Sequence, residues 1–334
     1  MKRILILSWL LLLASLINAQ NNTSLSSFID RYYEEYLKEI SPATATIHGD
    51  DRYNDLLYID FTDSFRDKSR RLFNRTLDSL KTFKRERLSA NEKLDYDVLK
   101  YTLESNLDRL SQKTNLMVFT QFDGLPSSLA LLGSGSGSQP FKTVKDYEDF
   151  VSRASVFPAW CDSAIVYFRK GMAEKIVLPK VLVERMITQL TAQISADVTK
   201  SIFYGPVKNF PSGFSNPDKT RLTSIYTYMI TGQLNPSYQK LIDFLKTEYL
   251  PAARTTSGYG ALPGGVKMYA SAIRYYTTMN LSADHVFKLG LSEVARIRKE
   301  MEKVKTQIGY SGDLKSFFSY MRNDPEFYPY KTAE

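Results

Sequence analysis

The run Gly258-Tyr259-Gly260-Ala261-Leu262-Pro263-Gly264-Gly265 is a glycine-rich turn, and it leads into side chains able to hold a polar ligand: Tyr269, Arg274, Thr277 and Thr278. Arg274 offers a rigid fork of N–H donors suited to a peptide carboxylate, and Tyr269 with the two threonines can position neighbouring groups. A structural reading stands beside this one. Glycine permits close backbone approach, and an arginine can cap or pair locally. The 22 tyrosines and 19 phenylalanines fit a peptide groove and a helical core equally well.

Other chemistry is sparse. The only histidines, His48 and His285, are far apart, and neither is followed by Glu-x-x-His. A metal site shared by the two with Asp50 or Asp51 has no spacing argument, so ordinary polar positions are expected and no metal is assigned to this chain. Cys161 is the only cysteine, which excludes an intrachain disulfide. Its apolar helical setting, FPAWCDSAIVYF, predicts a small packed hydrophobe. The repeat Gly133-Ser134-Gly135-Ser136-Gly137-Ser138 lacks the glycine spacing and following lysine of a phosphate-cradling loop, so it is expected to be a flexible loop.

Helical periodicity supplies the elements that must position these groups, and strand signals are scarce. Phe28, Tyr32, Tyr36 and Ile40 recur every fourth residue after Ser27, a residue suited to cap a helix. A turn-rich connection follows from Ser41 to Asp60, with Gly49 before Asp50 and Asp51. Between Ser64 and Leu110 regularly spaced leucines with a break near Ser89 predict two long helices in a hairpin. Its basic residues, Arg66 through Arg87, read as a solvated face or as a contact for an anionic surface.

Helix resumes from Thr143 to Ala173, again from Pro179 with a stripe of Val183, Ile187, Leu190 and Ile194, and again from Pro236 to Leu250. Gly205 to Lys219, rich in proline and glycine, is expected to be a surface loop or lid. Ser282 caps the clearest helix. Its stripe of Phe287, Leu291, Val294, Ile297, Met301, Val304 and Ile308 predicts core packing. Gly312-Asp313-Leu314 opens one more helix.

At the amino terminus, a basic start at Lys2 and Arg3, an apolar run from Ile4 to Ile17 and Ala19 read as a leader peptide cleaved after Ala19. The run is too short to span a bilayer, which leaves no stable membrane anchor after cleavage. The expected location is therefore periplasmic or extracellular. The formal net charge is +8 with the leader included. Such mild basicity in an exported chain gives no reason to expect nucleic acid. Residues 20–334 are expected to form a single helical region with ordinary burial as its source of stability.

Four blocks then carry a family resemblance. They are Pro42-Ala43-Thr44-Ala45-Thr46 with Gly49-Asp50; Tyr147 to Leu190, including Arg153, Pro158, Gly171, Pro179 and Glu184-Arg185; Tyr249 to Met301; and Gly312-Asp313-Leu314 with Asp324 to Tyr328. In this order they resemble the secreted bacterial domain of unknown function 885 family. The resemblance implies a mainly α, multi-helix array like the amino-terminal part of a helical gluzincin metallopeptidase. It also implies zinc in a full-length member, bound by an HExxH helix and a downstream glutamate, and a peptide as substrate or ligand. That motif is absent here, so this chain alone is expected to be inactive and to form part of a longer protein, building one wall of a substrate cleft. The alternative is a non-catalytic secreted peptide-binding or scaffolding protein of the same architecture.

Overall fold

The computed structural model describes residues 24–330; the expected leader, residues 1–19, lies outside them. The described chain is mainly α, as expected, and its β pairing is confined to an isolated parallel bridge between Pro179 and Arg254. The described residues divide into two compact units, the first ending at Met268 and the second beginning at Tyr269.

The first unit opens with α1 (Leu25–Glu39). Its cap is Ser24, whose hydroxyl accepts from the Ser27 N–H at 3.2 Å. The helix thus begins before the expected Ser27, and the added turn buries Leu25. The connection expected over Ser41–Asp60 is itself partly helical: Pro42 starts α2 (Pro42–Ile47), where its missing N–H would have had no helical partner anyway. Helices α3 (Asp63–Leu80) and α4 (Ala90–Ser111) form the expected hairpin, with a capping box between Ser89 and Glu92 at the break. Leu72, Phe73, Leu80, Leu99 and Leu103 pack with Leu25 into a small core. The basic stretch is largely paired at the surface, as in Lys68–Glu39 and Arg85–Asp97. Arg66 instead turns inward and donates to the Leu110 and Gln112 carbonyls at 2.7 and 2.8 Å.

A larger core is built from α5 (Leu125–Gly133), α6 (Val144–Ala154), α7 (Phe157–Ala173), α8 (Lys180–Thr191) and the helical run from residue 216 to 252. The helix expected over 143–173 is two. Thr143 and Asp146 form the capping box of α6, and Pro158 falls in the first turn of α7, where a proline is tolerated. The serine-glycine repeat is a loop, as expected, and it lies against the protein. A Cβ on Gly137 would lie 2.5 Å from the Leu131 carbonyl oxygen, so the turn is folded tightly back on α5. Cys161 is fully buried, and burial pushes its thiol pKa up, as expected for a packed hydrophobe.

The loop expected over 205–219 contains a helical turn, Gly205–Lys208, and ends early, because Ser215 caps a helix at Asn216. From there α9 (Asn216–Tyr228) and α10 (Asn235–Phe244) are joined by a π-helical turn, Met229–Leu234, and a second, Leu245–Tyr249, leads to the short α11 (Leu250–Ala252). Pro236 therefore lies inside the run, where a helix start was expected. A proline ring collides with the carbonyl four residues earlier, at Gly232 for Pro236 and Thr247 for Pro251. Both positions fall in the π turns, whose wider backbone loop gives that carbonyl room. The buried tyrosines satisfy their hydroxyls on backbone oxygen: Tyr238 donates to Pro126 at 2.6 Å and Tyr147 to Pro206 at 3.0 Å.

The second unit holds α12 (Gly265–Thr277) beyond residue 268, α13 (Ala283–Gln307) and α14 (Leu314–Asn323). Ser282 caps α13, as read from sequence, and α14 opens at the expected Gly312-Asp313-Leu314 with Asp313 as its cap. The apolar stripe of α13 does not pack into a core. Phe287 is 66% exposed and Val294 67%, and none of its seven side chains is buried, because no described element covers that face.

Candidate functional site

In the first unit, a cavity of about 360 Å³ opens where four separate segments converge. The end of α1 and the start of α2 supply Ile40 to Ala43, and the chain beyond α2 supplies Leu56, Leu57, Tyr58 and Asp60. The loop Met117–Gly124 and the start of α5 make the opposite side, and Trp160 of α7 reaches in from the core.

Each wall has a local cause. The Thr120 hydroxyl accepts from the N–H groups of Phe122 and Asp123 at 3.2 and 3.3 Å, while the Thr120 N–H donates to the Asp123 carbonyl at 2.8 Å. The loop is thereby tied into a tight turn. Gly124 then leaves it at φ +151°, and a Cβ there would meet the Phe119 Cβ at 2.4 Å, so only glycine fits. Trp160 is held edge-on by Phe61 with ring centroids 5.4 Å apart, and is stacked on Phe157 at 6.0 Å.

The segment opposite hangs on Arg153 of α6, which is completely buried. Its Nε donates to the Leu56 carbonyl at 3.0 Å, Nη1 to Gln139 Oε1 at 2.6 Å, and Nη2 to Thr46 Oγ1 at 2.9 Å and the Tyr53 carbonyl at 2.7 Å. Thr46 donates in turn to Asn54 Oδ1 at 2.6 Å. Burial pushes the Arg153 pKa down to about 10, with Asp55 and Asp149 pulling the other way, so it stays cationic at neutral pH. A single guanidinium thus pins residues 46–56 to α6.

Three polar groups of the cavity are left open to a ligand: the solvent-exposed carboxylates of Asp60 and Asp123 and the indole N–H of Trp160. Asp60 and Asp123 make no ion pair, and no basic side chain lines the cavity. Water reaches Asp60, yet the surrounding concave wall desolvates its carboxyl; this raises its pKa, its own backbone N–H draws it back, and nearby Asp123 adds to the rise. Trp160 is only 3% exposed, and no hydrogen bond takes its indole N–H. Since no buried side-chain nitrogen or oxygen among the described residues lacks a partner, that N–H is open to solvent through the cavity Trp160 lines.

The side chains singled out from sequence lie elsewhere. Tyr269, Arg274, Thr277 and Thr278 belong to the second unit, whereas the glycine-rich turn belongs to the first. The Thr277 hydroxyl donates to the Ile273 carbonyl at 2.7 Å and accepts from the Met279 N–H at 3.2 Å, and Thr278 donates to the Thr277 carbonyl. Both hydroxyls close the end of α12. Tyr269 and Arg274 are likewise engaged within the protein. The arginine that organises the glycine-rich turn is Arg254, which donates to the Val177 and Gly258 carbonyls at 3.0 Å each and to Ser257 at 3.2 Å.

Zinc does not fit the described residues. His48 pairs with the Tyr33 hydroxyl at 2.9 Å, His285 sits in the first turn of α13, and no group of three or more His, Cys, Asp or Glu side chains among the described residues could hold a metal ion. No described helix is long and apolar enough to cross a membrane.

Asp60, Asp123 and Trp160 carried no motif or helical spacing that marks them in sequence. Asp123 lies in a tight turn before Gly124, and Trp160 is packed among Phe61, Phe119 and Phe157.

No curated protein matches the chain. Among solved structures, one described as "the putative lipoprotein from Colwellia psychrerythraea" shares the fold with a TM-score of 0.75 and 18% identity, covering 90% of this chain and 54% of that one. Another, described as "a putative lipoprotein of unknown function from Shewanella oneidensis", gives a TM-score of 0.60 and 17% identity, covering 87% of this chain and 50% of that one. The chain thus spans about half the length of either. A family model described as "Bacterial protein of unknown function (DUF885)" matches residues 42–334, and the chain belongs to that family.

Proposed function

We propose that these residues are the amino-terminal, cleft-building part of a longer exported protein that acts on peptides, with zinc-dependent hydrolysis supplied by residues outside this chain. The observation that carries the reading is the bare stripe of α13. Burying one large apolar side chain is worth about 1.5–3 kcal/mol, so seven of them in water forgo a large driving force that further protein on that face would recover. The twofold greater length of the two lipoprotein structures supports the same reading, and their description agrees with the export expected from the leader. In this arrangement Tyr269, Arg274, Thr277 and Thr278 remain candidates for substrate contact only if the end of α12 rearranges when covered.

A second reading, a non-catalytic peptide-binding or scaffolding protein, draws on a specific observation: Asp60 and Asp123, without an ion pair, and the Trp160 indole, without an acceptor, line a cavity complete within this chain. The intact mass of the protein from its native source separates the two. A mass well above 38.2 kDa, with one zinc per chain and peptide hydrolysis lost on chelation, supports the first; a mass matching residues 20–334, without zinc, leaves the second. Val294→Asp adds a check. In the 334-residue chain it changes stability by less than about 0.5 kcal/mol, as exposed sites do, whereas in a longer protein that buries the stripe it costs several times more.

A further inference from the structure

We propose that the cavity around Asp60, Asp123 and Trp160 is a binding site for the amino-terminal end of a peptide, with the α-ammonium held between the two carboxylates and the first carbonyl accepting from the indole N–H. This deepens the peptide reading by naming the end of the chain that is held.

Three observations converge on that ligand. The cavity holds two carboxylates with neither an ion pair nor a lining basic group, in a chain whose overall charge is +8. A positive ligand group supplies what the protein withholds, and it gains most where water is partly displaced. Independently, the indole N–H of a 97% buried tryptophan is left without an acceptor, and so calls for a ligand oxygen. Tyrosine, threonine and serine hydroxyls at the walls do not fill these roles. Tyr58 donates to the Lys38 carbonyl at 2.8 Å, and the Thr120 hydroxyl is taken by its own turn.

The combination sets the ligand class. A bare cation satisfies the carboxylates and leaves the indole unmet, while a primary ammonium next to a carbonyl satisfies both. Leu57, Met117 and Leu125 give the remaining wall an apolar surface for a side chain, and 360 Å³ is within the range of small-ligand sites.

The test uses the full chain and the probe Ala-Ala-amide, titrated by calorimetry at neutral pH, while the indole N–H resonances are followed by NMR. The expected result is saturable binding, a shifted Trp160 indole N–H, and no binding of N-acetyl-Ala-Ala-amide at ten times the concentration. Asp60→Asn and Asp123→Asn each weaken binding at least about tenfold, with unchanged circular dichroism to show that the fold persists. Equal binding of the acetylated probe, binding of tetramethylammonium or glucose in place of the dipeptide, an indole signal that does not move, or no binding at all overturns the proposal. The outcome is separable from the proposed function: amine binding is read without hydrolysis, and a longer zinc-bearing protein can be found even if this site takes no amine.

Discussion

Replacing Arg153 by methionine tests the argument on which the cavity rests. Methionine keeps much of the volume and deletes every donor. The Leu56 and Tyr53 carbonyls and Gln139 Oε1 then lose the guanidinium they accept from, while Thr46 Oγ1 keeps its bond to Asn54. A buried acceptor left unsatisfied costs about 1–3 kcal/mol, giving a gross loss of roughly 3–9 kcal/mol. Against this stands the cost of holding a cation out of water, which the variant no longer bears. A net loss of about 3–5 kcal/mol follows, at the upper end for single substitutions.

Urea unfolding followed by far-ultraviolet circular dichroism measures it, with an unchanged slope showing that the same transition is compared. Hydrogen exchange should locate the effect in residues 42–57, and Ala-Ala-amide affinity should fall because that segment forms one wall of the cavity. In a double-mutant cycle with Thr46→Val, a coupling of about 1–2 kcal/mol is expected from their direct bond. A net loss below about 1 kcal/mol, or protection lost evenly over the first unit, would refute the view that Arg153 is the anchor of this segment.

Two further substitutions probe the site. Burial and Asp123 raise the Asp60 pKa in the folded state, so its ionised form is disfavoured there relative to the unfolded chain. The resulting penalty is absent below the unfolded value of about 3.9, grows as pH rises toward the folded value, and is complete above it. Asp60→Asn should therefore melt above the wild type at neutral pH and lose that advantage in acid; a wild type more stable than the variant at pH 7 would contradict the electrostatic reading. Gly124→Ala must place a Cβ against Phe119 at a positive φ, which should cost about 2–4 kcal/mol; a thermal midpoint equal to wild type would show that the loop is not so constrained.

What was legible in the sequence is what depends on near neighbours. Thr143 with Asp146 and Ser282 before His285 are caps closed within one turn, at helix starts the residue types mark, and Ser89 with Glu92 closes a capping box at the expected break. The prolines misled for an equally physical reason. Pro236 and Pro251 ordinarily bound a helix, but a π turn before each absorbs the clash, and tertiary burial of Tyr226, Ile230, Leu234 and Tyr238 keeps the run intact. The α13 stripe was read correctly as apolar and incorrectly as buried, since periodicity reports a face and not its partner. The candidate site was not legible. Arg153 draws its acceptors from positions 46, 53, 56 and 139, and Asp60 meets Asp123 only through the fold.

The contrast between the two networks bears on function. Arg153 is buried, charged and fully partnered: its cost is recovered inside the protein, and residues 46–56 are fixed as a result. Asp60 bears a desolvation cost that only its own backbone N–H offsets, and the exposed Asp123 carboxylate and the Trp160 N–H line the same cavity without an ion pair or an acceptor. A fold selected for stability alone would relieve such groups with a lysine at the rim or an asparagine at position 60. Rigid, partnered polar groups behind open ones are the arrangement that presents binding groups without letting them collapse onto the protein. The stabilisation expected for Asp60→Asn and the loss of amine binding expected for the same variant are therefore one prediction with two readouts. If the variant is both more stable and unimpaired in binding, the carboxylate pair is a cost with no return, and the site reading fails on its own terms.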